Sequence, residues 1–211
     1  MSADAGRTTR TRRTGDEIRT RLLDAARQVF AEQGYAGAST KEIAQRAEVT
    51  EVLLFRHFGS KAGLFDYAVL EPFEKFVDRW MWHWSNHGLR GESVEELARD
   101  YITLLYEFFD DNRELVTALL AARTHHPDAV ERIESLFARL ERTVREGISE
   151  HGLPTRDPAI TVRLTFGMVL SVVIHADLLF ACGSAPSRAN AITELTHYLL
   201  HGISRADTRE P

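Results

Sequence analysis

The stretch from Ser39 to Lys61, STKEIAQRAEVTEVLLFRHFGSK, decides the fold expected for the N-terminal part of this chain. Ser39 and Glu42 form an S-x-x-E pattern, which predicts a capping box at the start of a short helix. Apolar residues recur behind it at helical spacing, at Ile43, Ala44 and Ala47. Residues 48–50 leave room for a tight turn, and Thr50 can cap the next helix. This arrangement predicts a helix-turn-helix, which places its second helix in the DNA major groove.

The charge of the chain is unevenly distributed. The 211 residues carry a formal net charge of −5 at pH 7, and the hydrophobic content of 44% is enough to bury a core. Residues 1–61 hold eleven Lys and Arg against eight Asp and Glu, whereas residues 62–211 hold fifteen against twenty-three. A basic end on an acidic body is typical of a protein that touches phosphate with one lobe only.

The leader, residues 1–13, is rich in Thr, Ala and Gly and has no apolar periodicity. Its arginines are Arg7, Arg10, Arg12 and Arg13. This composition predicts a mobile basic arm that enters a minor groove or coats phosphates. An ordinary solubilising tail is the alternative.

Three features predict a soluble, cytoplasmic protein without a membrane partner. The single cysteine, Cys182, excludes a disulfide within the chain and fits a reducing compartment. The leader lacks the apolar segment of a signal peptide. The longest apolar run, Met168 to Ile174, is too short to span a bilayer.

Helical periodicity extends along almost the whole chain, so we expect an all-α fold of about nine helices. The first is predicted from Asp16 to Gln33, capped by Thr14 and Glu17 and ended by Gly34. The fourth is predicted to be long, to begin at Ser60 and to bend at Pro72. The predicted caps of later helices are Ser93 with Glu96, Asp111, Asp157 and Ser187.

Residues 14–64 resemble the tetracycline-repressor (TetR) family of bacterial transcription regulators. The resemblance rests on A-x-x-x-F-x-x-x-G-Y from Ala26 to Tyr35, on Ile43-Ala44 with Ala47, and on F-R-H-F-G-S-K from Phe55 to Lys61. It implies a three-helix helix-turn-helix DNA-binding domain at 14–60 and a helical ligand-binding and dimerisation domain at 61–211, preceded by the arm at 1–13.

The function implied by this resemblance is that of a ligand-responsive repressor. Such a protein binds double-stranded DNA at a palindromic operator as a homodimer, and a small effector releases it. An activator, or a helical small-molecule carrier with weakened DNA binding, remains the alternative. No nucleophile elbow, P-loop or dinucleotide fingerprint is present, so we expect neither an enzyme nor a cofactor.

The resemblance also implies which residues contact DNA. They are Thr40, Thr50, Glu51, Val52, Leu53, Phe55, Arg56, His57 and Lys61. Lys61 adds charge to the free N–H groups at a helix start, which already attract phosphate. Glu48 stands where the family commonly has Gly, so it either adopts a left-handed conformation, at roughly 1 kcal/mol, or the turn has another shape. Phe55 replaces a usual Tyr and cannot donate a hydrogen bond to phosphate.

Bulky residues of the C-terminal part are candidates for the wall of an effector pocket, with core packing as the alternative for each. They are Phe73, Phe76, Trp80, Tyr101, Leu105, Phe108, Phe137, Phe166 and His175. Their aromatic character favours a hydrophobic or aromatic effector, such as an acyl chain, a drug or a steroid.

The resemblance places the dimer interface on the last two helices. The residues expected between the subunits are Val169, Val172, Val173, Leu195, Tyr198 and Leu199. His175 and Asp177 interrupt an apolar helix and either orient a polar group of the effector or cross this interface.

Two histidine pairs have the i, i+4 spacing that can hold zinc: His83 with His87, and His197 with His201. Neither pair has a third ligand of suitable spacing in the sequence. We therefore predict solvated helix faces and no metal.

Overall fold

The computed structural model describes residues 14–87, 93–122, 127–151, 157–181 and 183–204. These residues are helical and contain no strand, which confirms the all-α expectation. The elements are α1 (Gly15–Gly37), α2 (Thr40–Arg46), α3 (Glu51–Phe58), α4 (Lys61–Phe65), a π-helical turn (Asp66–Leu70), α5 (Glu71–His87), α6 (Val94–Asp111), α7 (Arg113–Ala122), α8 (Pro127–His151), α9 (Pro158–Ile174), α10 (Ala176–Leu179) and α11 (Arg188–Ser204).

Two predicted helices are interrupted. The fourth consists of α4, the π turn and α5, and the interruption directly precedes Pro72, the residue expected to bend it. The helix that Asp157 caps was expected to continue to just before Gly183, but it ends at Ile174, and a short helix, α10, follows from Ala176. The first helix loses its helical conformation at Gly34, whose φ is 68°, as expected for a glycine that ends a helix.

Two predicted capping boxes are present in full. The backbone N–H of Thr14 donates to the carboxylate of Glu17 at 2.8 Å, and the N–H of Glu17 donates to the Thr14 hydroxyl at 3.3 Å. Ser93 and Glu96 form the same pair of bonds at the start of α6, at 2.7 and 3.2 Å. These caps satisfy N–H groups that a helix start otherwise leaves without a partner.

Of four other predicted caps, three are confirmed and one is wrong. Ser60, Asp157 and Ser187 each accept a backbone N–H at the start of α4, α9 and α11, as predicted. The prediction for Asp111 is wrong, because α6 continues through this residue and Asn112 separates α6 from α7.

The predicted capping box of Ser39 with Glu42 is also wrong. The Ser39 side chain makes no capping bond. The Glu42 carboxylate accepts hydrogen bonds from Gln33 Nε2, at 2.8 and 2.9 Å, and from Arg46 Nη2 at 2.9 Å. Two side-chain donors, one of them charged, therefore take the carboxylate that would have reached back to the helix start.

Helices α1 to α4 surround a core in which aromatic rings meet. Phe30 packs edge-on against Phe65, with ring centroids 5.0 Å apart, and Tyr35 packs edge-on against the same ring at 5.2 Å. Leu22 and Leu54 are buried beside them. This packing fixes α3 and α4 on α1.

The remaining helices form the body. α1 packs on α7, α8 packs on α9, and α6 lies against α9 and α11. The buried apolar residues of both parts belong to one continuous cluster. The division of the chain near residue 60 therefore stays a prediction.

Some expectations lie outside the described residues: the basic arm with Arg7, Arg10, Arg12 and Arg13, and Cys182. Within the described part of the chain, no helix combines the length and apolar character needed to cross a bilayer.

Candidate nucleic-acid interface and ligand cavity

The turn between α2 and α3 has the shape that a glycine would favour, although Glu48 occupies it. The φ of Glu48 is 56°, and it is the sole non-glycine with positive φ in the described ranges. The Glu48 carboxylate pairs with Arg21 Nη1 at 2.9 Å, across to α1. The first of the two alternatives for this turn is therefore the one observed, with an ion pair beside the strained residue.

Helix α3 presents one face to solvent and the other to the core. Thr50 accepts the N–H of Leu53 at 3.4 Å and caps the helix. The side chains of Val52 and Phe55 are 77% and 43% exposed, and Arg56 is exposed beside them. Residues at i, i+3 and i+4 share one face, so these three form a continuous outward surface. We call Val52, Phe55 and Arg56 the outer face of α3.

Two of the predicted DNA-contacting residues bind each other. The Thr40 hydroxyl donates to Glu51 Oε1 at 2.6 Å, which joins the start of α2 to the start of α3. A contact of Thr40 with phosphate, or of Glu51 with a base, must therefore compete with this bond.

Lys61 lies at the start of α4 and turns back toward the end of α1. Its Nζ lies 3.4 Å from the carbonyl oxygen of Ala36 and 4.8 Å from the centre of the Tyr35 ring. Partial burial lowers the pKa of Lys61. His57 and Leu53 are half-buried on the flanks of α3.

Sequence reasoning did not single out Arg19, which connects the motif to the helix behind it. Its guanidinium carbon lies 5.1 Å from the centre of the Phe58 ring in α3 and 4.5 Å from that of Tyr67 in the π turn. Cation–π contacts of this kind depend on rings 39 and 48 residues away along the chain. No local pattern could have indicated them.

An apolar cavity of about 20 Å³ lies between α5, α8 and α9. Its lining consists of Phe73, Phe76, Val77, Ile133, Leu136, Phe137, Leu140 and Phe166. Four of these residues were expected to line an effector pocket. A space of this size holds about one water molecule. An organic effector can enter only if the surrounding helices move apart.

The other expected pocket residues surround this cavity or lie away from it. Phe108 stacks on Phe76 at 4.6 Å, and Leu105 is fully buried. The ring centroids of Trp80 and Tyr101 lie 5.1 Å apart. Burial raises the pKa of the Tyr101 hydroxyl. His175 is exposed at the end of α9 and does not line the cavity.

A second, open groove of about 860 Å³ lies along α9 and α11. Its lining includes the exposed Leu164 and Tyr198 and the half-buried Met168 and Val172. A large apolar surface of this kind is typical of an interaction site.

Some of the residues expected between subunits are buried inside the chain itself. Val169 and Val173 have no exposed surface, so the expectation is wrong for these two. α9 turns Val169 and Val173 toward the core of its own chain. Leu195 is 8% exposed and lines the groove. Val172, Tyr198 and Leu199 keep exposed surface and remain available to a partner.

The rings of His197 and His201 lie 4.0 Å apart on the exposed side of α11. Among the described residues, no group of three or more His, Cys, Asp or Glu side chains is placed to hold a metal ion. The His87 side chain lies outside the described residues.

Comparison with known families identifies the N-terminal part. Residues 22–68 match the model described as "Bacterial regulatory proteins, tetR family". The match begins inside α1, includes the helix-turn-helix and ends in the π turn.

Two curated relatives match over part of their length. The chain is 35% identical over 100 residues to the uncharacterized HTH-type transcriptional regulator YvkB of Bacillus subtilis, which is 46% of this chain and 47% of that protein. It is 48% identical over 56 residues to the HTH-type transcriptional activator FasR of Mycolicibacterium smegmatis, which is 26% of this chain and 25% of that protein. The chain thus spans half or less of these relatives.

Similarity to solved structures extends over both parts of the chain. The transcriptional regulator FadR of Bacillus subtilis, solved in complex with stearoyl-CoA, matches with a TM-score of 0.67 at 18% identity. The match covers 87% of this chain and 98% of that one. At this identity the match shows a shared fold.

Proposed function

We propose that this chain, whose residues 22–68 match the tetR family of bacterial regulatory proteins, is a ligand-responsive transcriptional repressor of that family. In this proposal a homodimer binds a palindromic operator in the cytoplasm, at the nucleoid, and a small hydrophobic effector releases it. The observation that carries the proposal is the outer face of α3.

The outer face of α3 combines apolar exposure with a charge. Val52 and Phe55 expose apolar surface on the second helix of a helix-turn-helix, where packing inside the chain does not require it. Apolar side chains suit the methyl groups of thymine, and Arg56 can reach phosphate or guanine. This combination supports base contacts in a major groove.

The groove along α9 and α11 supports the homodimer. Its exposed apolar residues, Leu164 and Tyr198 among them, gain burial if a second copy packs there. A two-fold dimer presents two copies of α3, so the site that it binds is expected to be an inverted repeat.

The cavity between α5 and α8 supports a hydrophobic effector, because its lining contains no polar residue. The stearoyl-CoA in the FadR structure carries a long hydrophobic acyl chain, and such a chain would need a much larger space than the one present here. We therefore expect binding to open the aromatic packing around Phe76 and Phe137.

The experiment that tests this function selects DNA. The purified full chain is incubated at moderate salt with sheared genomic DNA of its source organism, and the bound fragments are sequenced. A recurring inverted repeat is expected. A folded dimer that enriches no sequence would contradict DNA recognition and favour the small-molecule carrier.

Arg56→Ala tests the outer face of α3 on the selected sequence. We expect weaker binding, and if Arg56 contacts a base, discrimination at one half-site position falls by roughly 1–3 kcal/mol. Equal losses on matched and mismatched sites would assign Arg56 to phosphate. The control is Arg79→Ala on α5, an exposed arginine outside the motif, which should leave binding unchanged.

Activation of transcription is a second candidate function. The relative FasR is named as an activator, and its matched segment has a higher identity to this chain than that of YvkB. The position of the selected repeat relative to promoters, with transcript levels in a deletion strain, distinguishes the two. Transcripts beside the repeat that fall on deletion would indicate an activator.

A further inference from the structure

The π turn at Asp66–Leu70 divides the helix that joins the DNA-binding motif to the body. The backbone N–H of Glu71 donates to the carbonyl of Asp66, five residues earlier, which takes up one more residue than an α-helical turn. Ala68, Val69 and Leu70 are fully buried, so the turn lies in the core.

Pro72 makes a carbonyl of this turn available. In an α-helix the N–H of residue 72 would donate to the carbonyl of residue 68, and proline has no N–H. The carbonyl of Ala68 accepts instead from Arg27 Nε of α1, at 3.1 Å. Asp24, one turn earlier on α1, holds the same guanidinium through Nη1 at 3.0 Å. The first helix of the motif is thereby attached to the interruption.

Arg132 of α8 contacts the same interruption from the body. Its Nη1 pairs with Asp66 Oδ1 at 3.1 Å, and its Nε donates to Glu74 Oε1 at 3.2 Å. One guanidinium therefore joins a residue of the π turn to a residue of α5.

This double contact depends on the π turn. In an uninterrupted α-helix, residues 66 and 74 are eight positions apart and point about 80° away from each other. The π turn takes up one extra residue, so the two residues are separated as if by seven positions of a regular α-helix. The angle between their directions then falls to about 20°. Asp66 and Glu74 then share a face, and Arg132 can bind both. Loss of the extra residue would separate the two carboxylates.

Arg132 is also next to the cavity. Ile133 and Leu136, one and four residues further along α8, line it opposite Phe73 and Phe76 of α5. A ligand that separates α8 from α5 must therefore pull Arg132 away from Glu74.

We propose that Arg132 and Arg27 are positioning residues that couple the cavity to the helix-turn-helix through the π turn. Arg132 holds the π turn while the cavity is closed, and its withdrawal lets α4 change register against α5 by up to one residue, a rise of about 1.5 Å. Arg27 passes that change to α1. This coupling rests on the function proposed above and names how its effector would act.

The first test needs neither effector nor DNA. Amide hydrogen exchange is measured in the full chain for residues 66–74, in the wild type, in Arg132→Met and in Arg139→Met. Arg139 is a matched control, because it lies two turns along α8 and pairs with Asp78 of α5, beyond the interruption. Its loss should leave the π turn unchanged.

We expect exchange in residues 66–74 to rise about fivefold in Arg132→Met, as expected for a partly exposed ion-pair network, and to stay unchanged in Arg139→Met. Equal rates in the two variants would overturn the proposal. If Arg132→Met does not fold, Glu74→Met, which removes the acceptor of one of the two contacts, takes its place with the same expectation.

The second test measures affinity for the selected repeat with and without stearoyl-CoA as the probe. Without the probe, Arg132→Met is expected to bind DNA about fivefold more weakly than the wild type. When the probe is added, the DNA affinity of Arg132→Met is expected to fall by a smaller factor than that of the wild type. Arg139→Met should behave as the wild type does. Equal DNA affinities of the two variants without the probe would refute the coupling. If no DNA is bound at all, the repressor function fails, while the exchange measurement still decides whether Arg132 holds the π turn.

Discussion

Substitution of Glu48 tests the left-handed turn between α2 and α3. Glu48→Ala removes the ion pair with Arg21 and keeps a side chain at a φ of 56°. Glu48→Gly removes the same pair but also relieves the backbone. The difference between the two variants therefore reports the cost of the conformation, reduced by the greater freedom of glycine in the unfolded chain.

The magnitudes follow from the geometry. A left-handed conformation costs a non-glycine residue roughly 1–2 kcal/mol, and glycine avoids this cost. Glycine also loses more conformational freedom on folding, which destabilises the Gly variant by about 0.5–1 kcal/mol. The side chains of Arg21 and Glu48 are 44% and 64% exposed, so after solvent screening their pair contributes about 0.5 kcal/mol at most. We expect the Gly variant to be more stable than the Ala variant by about 1 kcal/mol, with the wild type between them.

The assay is urea unfolding followed by far-UV circular dichroism, with all variants at one protein concentration. The control is the same pair of substitutions at Gln28, an exposed helical position of α1. There Gly should be less stable than Ala by about 1 kcal/mol. If position 48 shows the same order as position 28, residue 48 is not left-handed and the reasoning is refuted.

Four further predictions concern a cap and its pH dependence, the cavity and the phosphate contact. Ser93→Ala removes the acceptor of the Glu96 N–H and should lower the free energy of unfolding by about 1 kcal/mol. Ser93→Thr keeps a hydroxyl acceptor and should lose much less. Equal urea midpoints for the wild type and Ser93→Ala would contradict this prediction. The hydrogen bonds from Ser93 lower the pKa of Glu96. The stability that this carboxylate adds is thus present above its unfolded pKa and is lost as the pH falls through the folded value, so the gap between wild type and Glu96→Gln should narrow in acid. Phe137→Ala should destabilise the chain by about 3 kcal/mol and enlarge the cavity enough to bind benzene; a calorimetric titration without uptake would show that the space collapses. Lys61→Ala should weaken binding to all DNA sequences and reduce the slope of log K against log salt by about one, and an unchanged slope would exclude a phosphate contact.

Predictions that depend on neighbours along the chain agree with the structure in most cases. The capping pairs Thr14 with Glu17 and Ser93 with Glu96 need partners three residues apart, and the helix itself brings such partners together. The buried stripe of α1 and the burial of Leu54 follow from the same periodicity. The helix-turn-helix was predictable because its whole pattern lies within 23 consecutive residues.

The sequence by itself therefore determined the helices, most of their caps and the motif. The tertiary structure decided which of several possible partners each side chain takes. Glu42 binds Gln33 and leaves its predicted cap, and Val169 and Val173 face their own chain. Arg132 finds Glu74, 58 residues away, because α5 and α8 pack together. Such choices depend on which helix faces are brought into contact, and the free energy that selects among them comes from burial across the whole core, which no local spacing contains.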